Sequence, residues 1–267
     1  MINSELQAEL RARFNPDGSK LRNMQLKILD ILKAIDKICR DNNIPYWLAS
    51  GSLIGAVRHG GFIPWDDDLD IEILYSDRKR FVKACMEHLP SKYVLQCHET
   101  DKTYYSNILK VRDLDGEIHE VMNIDGINYP IEYKYNGFFV DVFTVEKSVR
   151  PYVYISIYLT RLLYKLKCKW QLGPNMLSIW YNVFNGIYGV FRFLSKLCPS
   201  GWYYLSYGSW FISRRVRAEL IPPKDILFEG ISFYGPADPD SYLRRIYGDY
   251  MRLPDIENWK PTHETQL

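Results

Sequence analysis

The sequence predicts a mixed α+β fold: one core sheet with flanking helices, and a helical, basic, aromatic-rich insertion. Three observations carry this. Residues 21–39 repeat apolar side chains at helical spacing. Residues 69–74 alternate apolar and acidic, and residues 137–143 are apolar apart from one acid. Residues 147–218 contain no Asp or Glu at all.

Taken in order, Met24, Ile28, Leu32, Ile35 and Cys39 mark one face of an amphipathic helix, which Asp17 or Ser19 would cap. Residues 46–49 read as a short buried strand after Pro45. Gly51-Ser52 then turns the chain into a short helix over 53–58, which Gly60-Gly61 ends. Residues 69–74 read as a half-buried strand. Residues 77–89 read as a helix with Phe81, Val82, Cys85, Met86 and Leu89 on one side. Residues 93–96, 107–111 and 137–143 read as further strands. Strands and helices that intermix in this way point to one sheet with helices against it.

The composition of the 267 residues, 47% hydrophobic and 25% charged, is that of a folded globular chain. The net charge of +2 hides a division: residues 147–218 hold 11 Lys and Arg, and the rest of the chain holds 23 basic and 32 acidic residues. Residues 150–213 also hold 17 of the 40 aromatic side chains. Residues 170–191 carry no charge, but Gln171, Gly173, Pro174, Asn175, Asn182 and Gly186 interrupt them too often for a membrane span. No apolar leader is read at residues 1–15. Five dispersed cysteines read as reduced thiols, and the expected setting is cytoplasmic. No nucleic-acid motif accompanies the basic block, so nucleic acid is not an expected partner.

The chemistry concentrates in Gly51-Ser52 and in Trp65-Asp66-Asp67-Asp68-Leu69-Asp70-Ile71. Asp68 and Asp70 are two residues apart, so on a strand both carboxylates leave one face. Two such anions resist joint ionisation unless a cation lies between them, and a hard oxygen-ligated divalent ion fits. Asp141, alone in an apolar strand, is expected as the third ligand beside Asp68 and Asp70. Gly51 and Ser52 are expected to approach a phosphate with backbone N–H groups and a hydroxyl. Arg58, His59, Lys110 and Arg112 are the expected cationic or hydrogen-bonding helpers, and Asp67 is expected to face solvent. An EF-hand is rejected, because Ile71 stands where that loop needs glycine and Asp77 where it needs glutamate.

The stretch from Gly51 to Ile71, GSLIGAVRHGGFIPWDDDLDI, resembles the signature of the LicD family, which belongs to the nucleotidyltransferase-fold superfamily. Ser52, Asp68, Asp70 and Asp141 match the superfamily's serine and three acids, and Asp66 matches an additional acid of LicD-type chains. Residues 242–251, Leu253-Pro254 and the late His263 resemble the family's ending. The resemblance implies a nucleotidyltransferase-like core over 1–147, an insertion over 148–216 and a C-terminal segment over 217–267 packing back on the core.

The activity it implies is transfer of a phospho-alcohol, phosphocholine first, from a CDP-activated donor to a sugar hydroxyl of lipopolysaccharide, capsule or teichoic acid, with release of CMP. Mg²⁺, or Mn²⁺ in its place, is the implied cofactor, and Asp66 or Asp141 the implied general base. Transfer of phosphoethanolamine or ribitol phosphate stays open. So does a nucleotidyltransferase that uses CTP and releases pyrophosphate, or a non-enzymatic glycan- or membrane-binding module. For residues 148–216, packing on the core and contact with anionic lipid both stay open. The latter would place the protein peripherally on the cytoplasmic face of a bacterial inner membrane, near a lipid-linked acceptor.

Overall fold

The computed structural model describes residues 2–118, 120–131 and 133–254. Helix α1 (Ser4–Phe14) is capped by the Asn3 side chain, which accepts from Leu6 N–H at 2.7 Å. Helix α2 (Lys20–Asp41) is capped by Ser19, not Asp17, and buries Met24, Ile28, Leu32, Ile35 and Cys39, the face read from the sequence. Strand β1 (Tyr46–Leu48) follows, then α3 (Ser50–Ile54), whose end widens into a π-helical turn, Gly55–His59. Gly60, at φ 73°, stops it in the left-handed region, which glycine enters without strain.

Strand β2 is Asp70–Leu74, helix α4 Arg78–His88, β3 Tyr93–Gln96 and β4 Leu109–Asp113. Met86, expected on the inner side of α4, is 64% exposed; Phe81, Val82, Ala84 and Cys85 form the buried side. Strands β5 (Glu120–Ile124) and β6 (Ile127–Ile131) form a hairpin. Its turn, Asp125-Gly126, has positive φ at both residues, the geometry that matches strand twist. Strand β7 runs from Phe139 to Lys147.

Helices α5 (Arg150–Tyr164) and α6 (Pro174–Leu197) form the region expected to be a helical insertion. That region is not helical throughout. Strands β8 (Trp202–Leu205) and β9 (Arg215–Val216) lie inside it, and β8 pairs with β7 in the main sheet. Helix α7 (Arg217–Leu220), the hairpin β10–β11 (Lys224–Phe228 and Ile231–Gly235) and helix α8 (Pro239–Tyr247) complete the described chain. His263 lies outside the described residues.

The main sheet has the order β1-β2-β7-β4-β3, with β8 continuing beside the far end of β7 and β9 beside β8. Only β2 and β7 run parallel; the other pairs are antiparallel. One hydrophobic core joins this sheet to α2, α4 and the C-terminal segment. A second cluster holds α5 and α6 against Tyr105, Tyr204 and Tyr207.

Strand β2 is not half-buried as its alternation suggests. Glu72 is wholly buried, accepting from Trp47 Nε1 at 2.9 Å, Tyr242 Oη at 2.9 Å and Arg215 Nε at 2.9 Å. Three distant parts of the chain thus meet at one carboxylate, which is how a charge survives burial.

Candidate active site

The site is built where β1 turns into α3 beside the start of β2. Ala49 N–H donates to Asp70 O at 3.0 Å, which locks the two strand ends together. Ser50 then adopts φ 48°, a left-handed conformation that is unusual outside glycine. Gly51 lies close against Asp66: a Cβ there would lie 2.9 Å from Asp66 Oδ2, so that carboxylate would have to shift. Ser52 Oγ accepts from Asp70 N–H at 2.8 Å, so the serine is tied to the acidic strand and its own O–H hydrogen is not used in that bond.

The loop carrying Asp66 is held from behind. Gln25, fully buried on α2, donates from Nε2 to Asp66 O at 2.8 Å, and its Oε1 accepts from Asn15 Nδ2 at 2.7 Å. Trp65 packs edge-on against Phe14 and His59, with ring centroids 5.3 and 5.9 Å away. Gly61 has no room for a side chain because Glu229 crosses it; that carboxylate accepts from Phe62 N–H at 3.0 Å and pairs with Arg22 at 2.6 Å. Gln25 and Glu229 are supports that the sequence pattern did not reveal, since nothing local marks their partners.

The register of the sheet sets the acids in a row. Asp70 on β2 pairs with Asp141 on β7, and Asp141 with Lys110 on β4. Register partners project to the same face, with neighbouring strands about 4.8 Å apart. Strand β2 begins at Asp70, so Asp68 stands in the loop just before it and not on the strand. Among the described residues, Asp66, Asp67 and Asp68 form a close acidic group: one carboxylate oxygen of each lies within 4.8 Å of the others. Asp67, expected to face solvent, is therefore drawn into the cluster.

Burial, then the charges of Asp68 and Asp67, push the Asp66 carboxyl well above the usual carboxylate range. Burial, then Asp68, Asp141 and Asp66, do the same to Asp70, and Lys110 only partly opposes them. Both residues keep some accessible surface. Lys110 Nζ lies 3.0 Å from Asp141 Oδ1 and 3.3 Å from Glu120 Oε2. The first contact is an ion pair without hydrogen-bond geometry, and Asp141 Oδ1 is buried with no directed donor among the described residues. Crowded carboxylates plus an undersatisfied buried carboxylate oxygen are an oxygen donor set of the kind hard divalent cations take.

The structure brings Gly51, Ser52, Asp66, Asp68, Asp70, Asp141 and Lys110 together, and turns three expected helpers inward. Arg112 is fully buried, bonded to Gln96 Oε1 at 2.5 Å, to Gly137 O at 2.8 Å and to Glu120. Arg58 donates to Tyr250 O at 2.7 Å and to His59 Nε2 at 2.9 Å. His59 Nδ1 meets Gln7 Oε1 at 2.7 Å. Burial, then the Arg58 charge, push the His59 ring down to about 3. Substrate contact was expected of these three; their bonds instead tie the motif to α1, to the C-terminal segment and to the β5–β6 hairpin. Such buried cations are stable only where carbonyls and carboxylates surround them.

Residues 43–160 match the family model described as LicD/FKTN/FKRP, nucleotidyltransferase domain. These residues form a LicD-family domain. The match runs past residue 147 into α5, further than the motif alone suggested. The chain is 28% identical to the lipopolysaccharide cholinephosphotransferase LicD of Haemophilus influenzae, across 91% of this chain and 96% of that protein. A shorter likeness, 56% identical over 34 residues, links it to the human ribitol 5-phosphate transferase FKRP, covering 13% of this chain and 7% of that one. Mouse ribitol-5-phosphate transferase FKTN is 36% identical over 50 residues, 19% of this chain and 11% of its own. Within the LicD-family domain lie the Gly51-Ser52 turn, the Asp66–Asp70 cluster and Asp141.

Proposed function

We propose that the protein moves a phospho-alcohol, phosphocholine first, from a CDP-activated donor to a hydroxyl of a cell-surface glycan, with release of CMP. The observation that carries the reading is the acidic site: Asp70 and Asp141 in register on parallel strands, with Asp66, Asp67 and Asp68 crowded beside them. Likeness across most of both chains to a lipopolysaccharide cholinephosphotransferase supports the choice of alcohol and acceptor class. The shorter likeness to ribitol phosphate transferases keeps the core chemistry the same while the alcohol differs.

In this reading Asp68, Asp70 and Asp141 hold Mg²⁺, with Mn²⁺ as a substitute. Bound there, the ion neutralises charge that develops on the departing CMP phosphate. The remaining work falls to the chain itself. Gly51 lets the backbone come close to the donor diphosphate, and the Ser52 hydroxyl donates to it. Lys110, through its ion pair, orients Asp141. Asp66, whose proton affinity is raised, takes the proton from the attacking hydroxyl as general base. The new bond joins acceptor oxygen to the phosphorus distal to cytidine, and the bond to the bridging oxygen breaks as CMP leaves.

A second reading, a nucleotidyltransferase acting on CTP, draws on the family model's description. One experiment separates the two. The full chain is incubated with Mg²⁺ and CDP-choline, CDP-ethanolamine or CDP-ribitol, with and without lipopolysaccharide acceptors, and the nucleotide product is resolved by chromatography. CMP from one donor supports phospho-alcohol transfer, and its loss in Asp68→Ala and Asp70→Ala, with the fold intact, supports the site. Pyrophosphate from CTP supports the second reading. Absence of CMP with every donor overturns the first.

A further inference from the structure

Helix α6 carries three strips. One packs inward through Leu177, Tyr181, Phe184 and Tyr188. A second is polar and lines a cleft of about 250 Å³ against β7 and the β3–β4 connection. There Arg192 pairs with Glu146 at 2.7 Å, and Asn185 Oδ1 accepts from Asn107 at 3.1 Å. The third strip is apolar and points away from the protein: Ile179, Trp180, Val183, Val190, Phe193 and Leu197 are between 37% and 70% exposed. At 100° per residue these six share one sector about 140° wide. Helix α6 thus shows an apolar strip to solvent in addition to the one it buries against the core. The adjoining α5 adds Tyr154 and Tyr158, 44% and 68% exposed.

The segment that carries this strip has charge of one sign. No acidic residue occurs from 147 to 218. Some of its cations are paired with acids from elsewhere: Arg192 with buried Glu146, Arg215 with buried Glu72, and Lys165 with Asp125 at the surface. Arg150, Lys196 and Arg214 make no ion pair among the described residues. Lys196 borders the strip, about 60° round α6 from Phe193, and Arg150 begins α5 beside Tyr154, whose hydroxyl it bonds at 2.9 Å. No helix among the described residues is long and apolar enough to cross a membrane.

We propose that this outward face of α6, with the neighbouring face of α5, docks flat on an anionic lipid bilayer. The apolar strip enters the acyl boundary, tyrosine and tryptophan sit at the headgroup level, and the uncompensated cations meet lipid phosphates. A second copy of the chain is the poorer occupant. Two acid-free, basic faces brought together would repel, whereas an anionic bilayer complements both the oil and the charge. The inference is independent of the transfer reaction, and its test reads binding alone.

The full chain is sedimented with vesicles of phosphatidylcholine, or of phosphatidylcholine mixed with phosphatidylglycerol. Binding is expected on the mixed vesicles, weaker by about tenfold or more on neutral ones, and weakened by added NaCl. The double variant Ile179→Ser, Phe193→Ser is expected to lose about tenfold or more of that binding. Both positions are exposed, so its thermal melt stays at the wild-type value. Lys196→Glu lowers binding to mixed vesicles only. Three results overturn the proposal: no binding to either vesicle, binding that the double variant leaves intact, or a stable dimer in light scattering that the double variant splits.

Discussion

Glu72 and Arg215, 143 residues apart in the chain, meet as an ion pair with both side chains almost wholly buried. Trp47 and Tyr242 complete the carboxylate's shell. Removing one partner leaves the other charged and bare. Glu72→Leu or Arg215→Met alone is expected to destabilise the fold by about 3–5 kcal/mol, and the double replacement by less than either single one. Urea unfolding of the full chain measures this. A chain cut after residue 160, at the end of the family match, loses Arg215 and Tyr242 together and is expected not to fold.

Asp66 and Asp70 hold their protons more tightly in the folded chain than in the unfolded one, through burial and neighbouring carboxylates. The sign follows: without a cation, stability falls as pH rises from the unfolded carboxylate range through the higher folded values. Asp70→Asn is therefore expected to raise the melting temperature of the metal-free protein, by about 2–4 °C for each kcal/mol of repulsion removed. Added Mg²⁺ should raise the wild-type melt and leave the variant unmoved. A variant that melts lower than wild type without metal would contradict the repulsion.

Gly51→Ala tests the approach of Asp66 to the turn. Its Cβ would meet Asp66 Oδ2 at 2.9 Å, so the carboxylate has to move. A misplacement on that scale is expected to lower the transfer rate by about 100-fold, with a thermal melt close to wild type. An unchanged rate would show that the position of Asp66 is not critical.

His59 stays neutral because burial and the Arg58 charge push its ring down to about 3. Its contribution is present above the unfolded value of 6.5 and is lost as pH falls from there toward 3. Between these limits the loss is at most about 1.4 kcal/mol per pH unit. In His59→Gln, which keeps a polar group beside Gln7, this part of the pH dependence is expected to vanish from urea titrations run between pH 6.5 and pH 5.

Much of the site is legible because its residues are local to one another. Gly51, Ser52 and the acids at 66, 68 and 70 lie within twenty residues, and the turn and strand that join them have short-range signals. Asp141 stands out as the one acid in the apolar stretch 137–143. What stays hidden depends on distant partners. Arg112 looks like Lys110 in sequence, yet only Lys110 reaches Asp141, while Arg112 is closed in by Gln96 and Glu120. Glu72 continues the alternation of Asp68 and Asp70 but is matched by Arg215 and Tyr242, which no local pattern announces. Helix α1 was not expected: it buries only Leu10, too little apolar periodicity to read. Strands β8 and β9 vanish into an aromatic run because only pairing, of β8 with β7 and of β9 with β8, separates them from helix.

That pairing with β7 has a further meaning. Lys147, where β7 ends, is the register partner of Tyr203 on β8. Residues 148–201, including both long helices, therefore leave the sheet and re-enter it at points about 5 Å apart. A turn of about two to five residues would close the same gap. The helical pair behaves as a cassette on a fixed socket: a chain could lengthen it, trade it for another or drop it while the strand bearing Asp141 keeps its neighbours. What the protein touches outside its acidic site can thus change independently of that site.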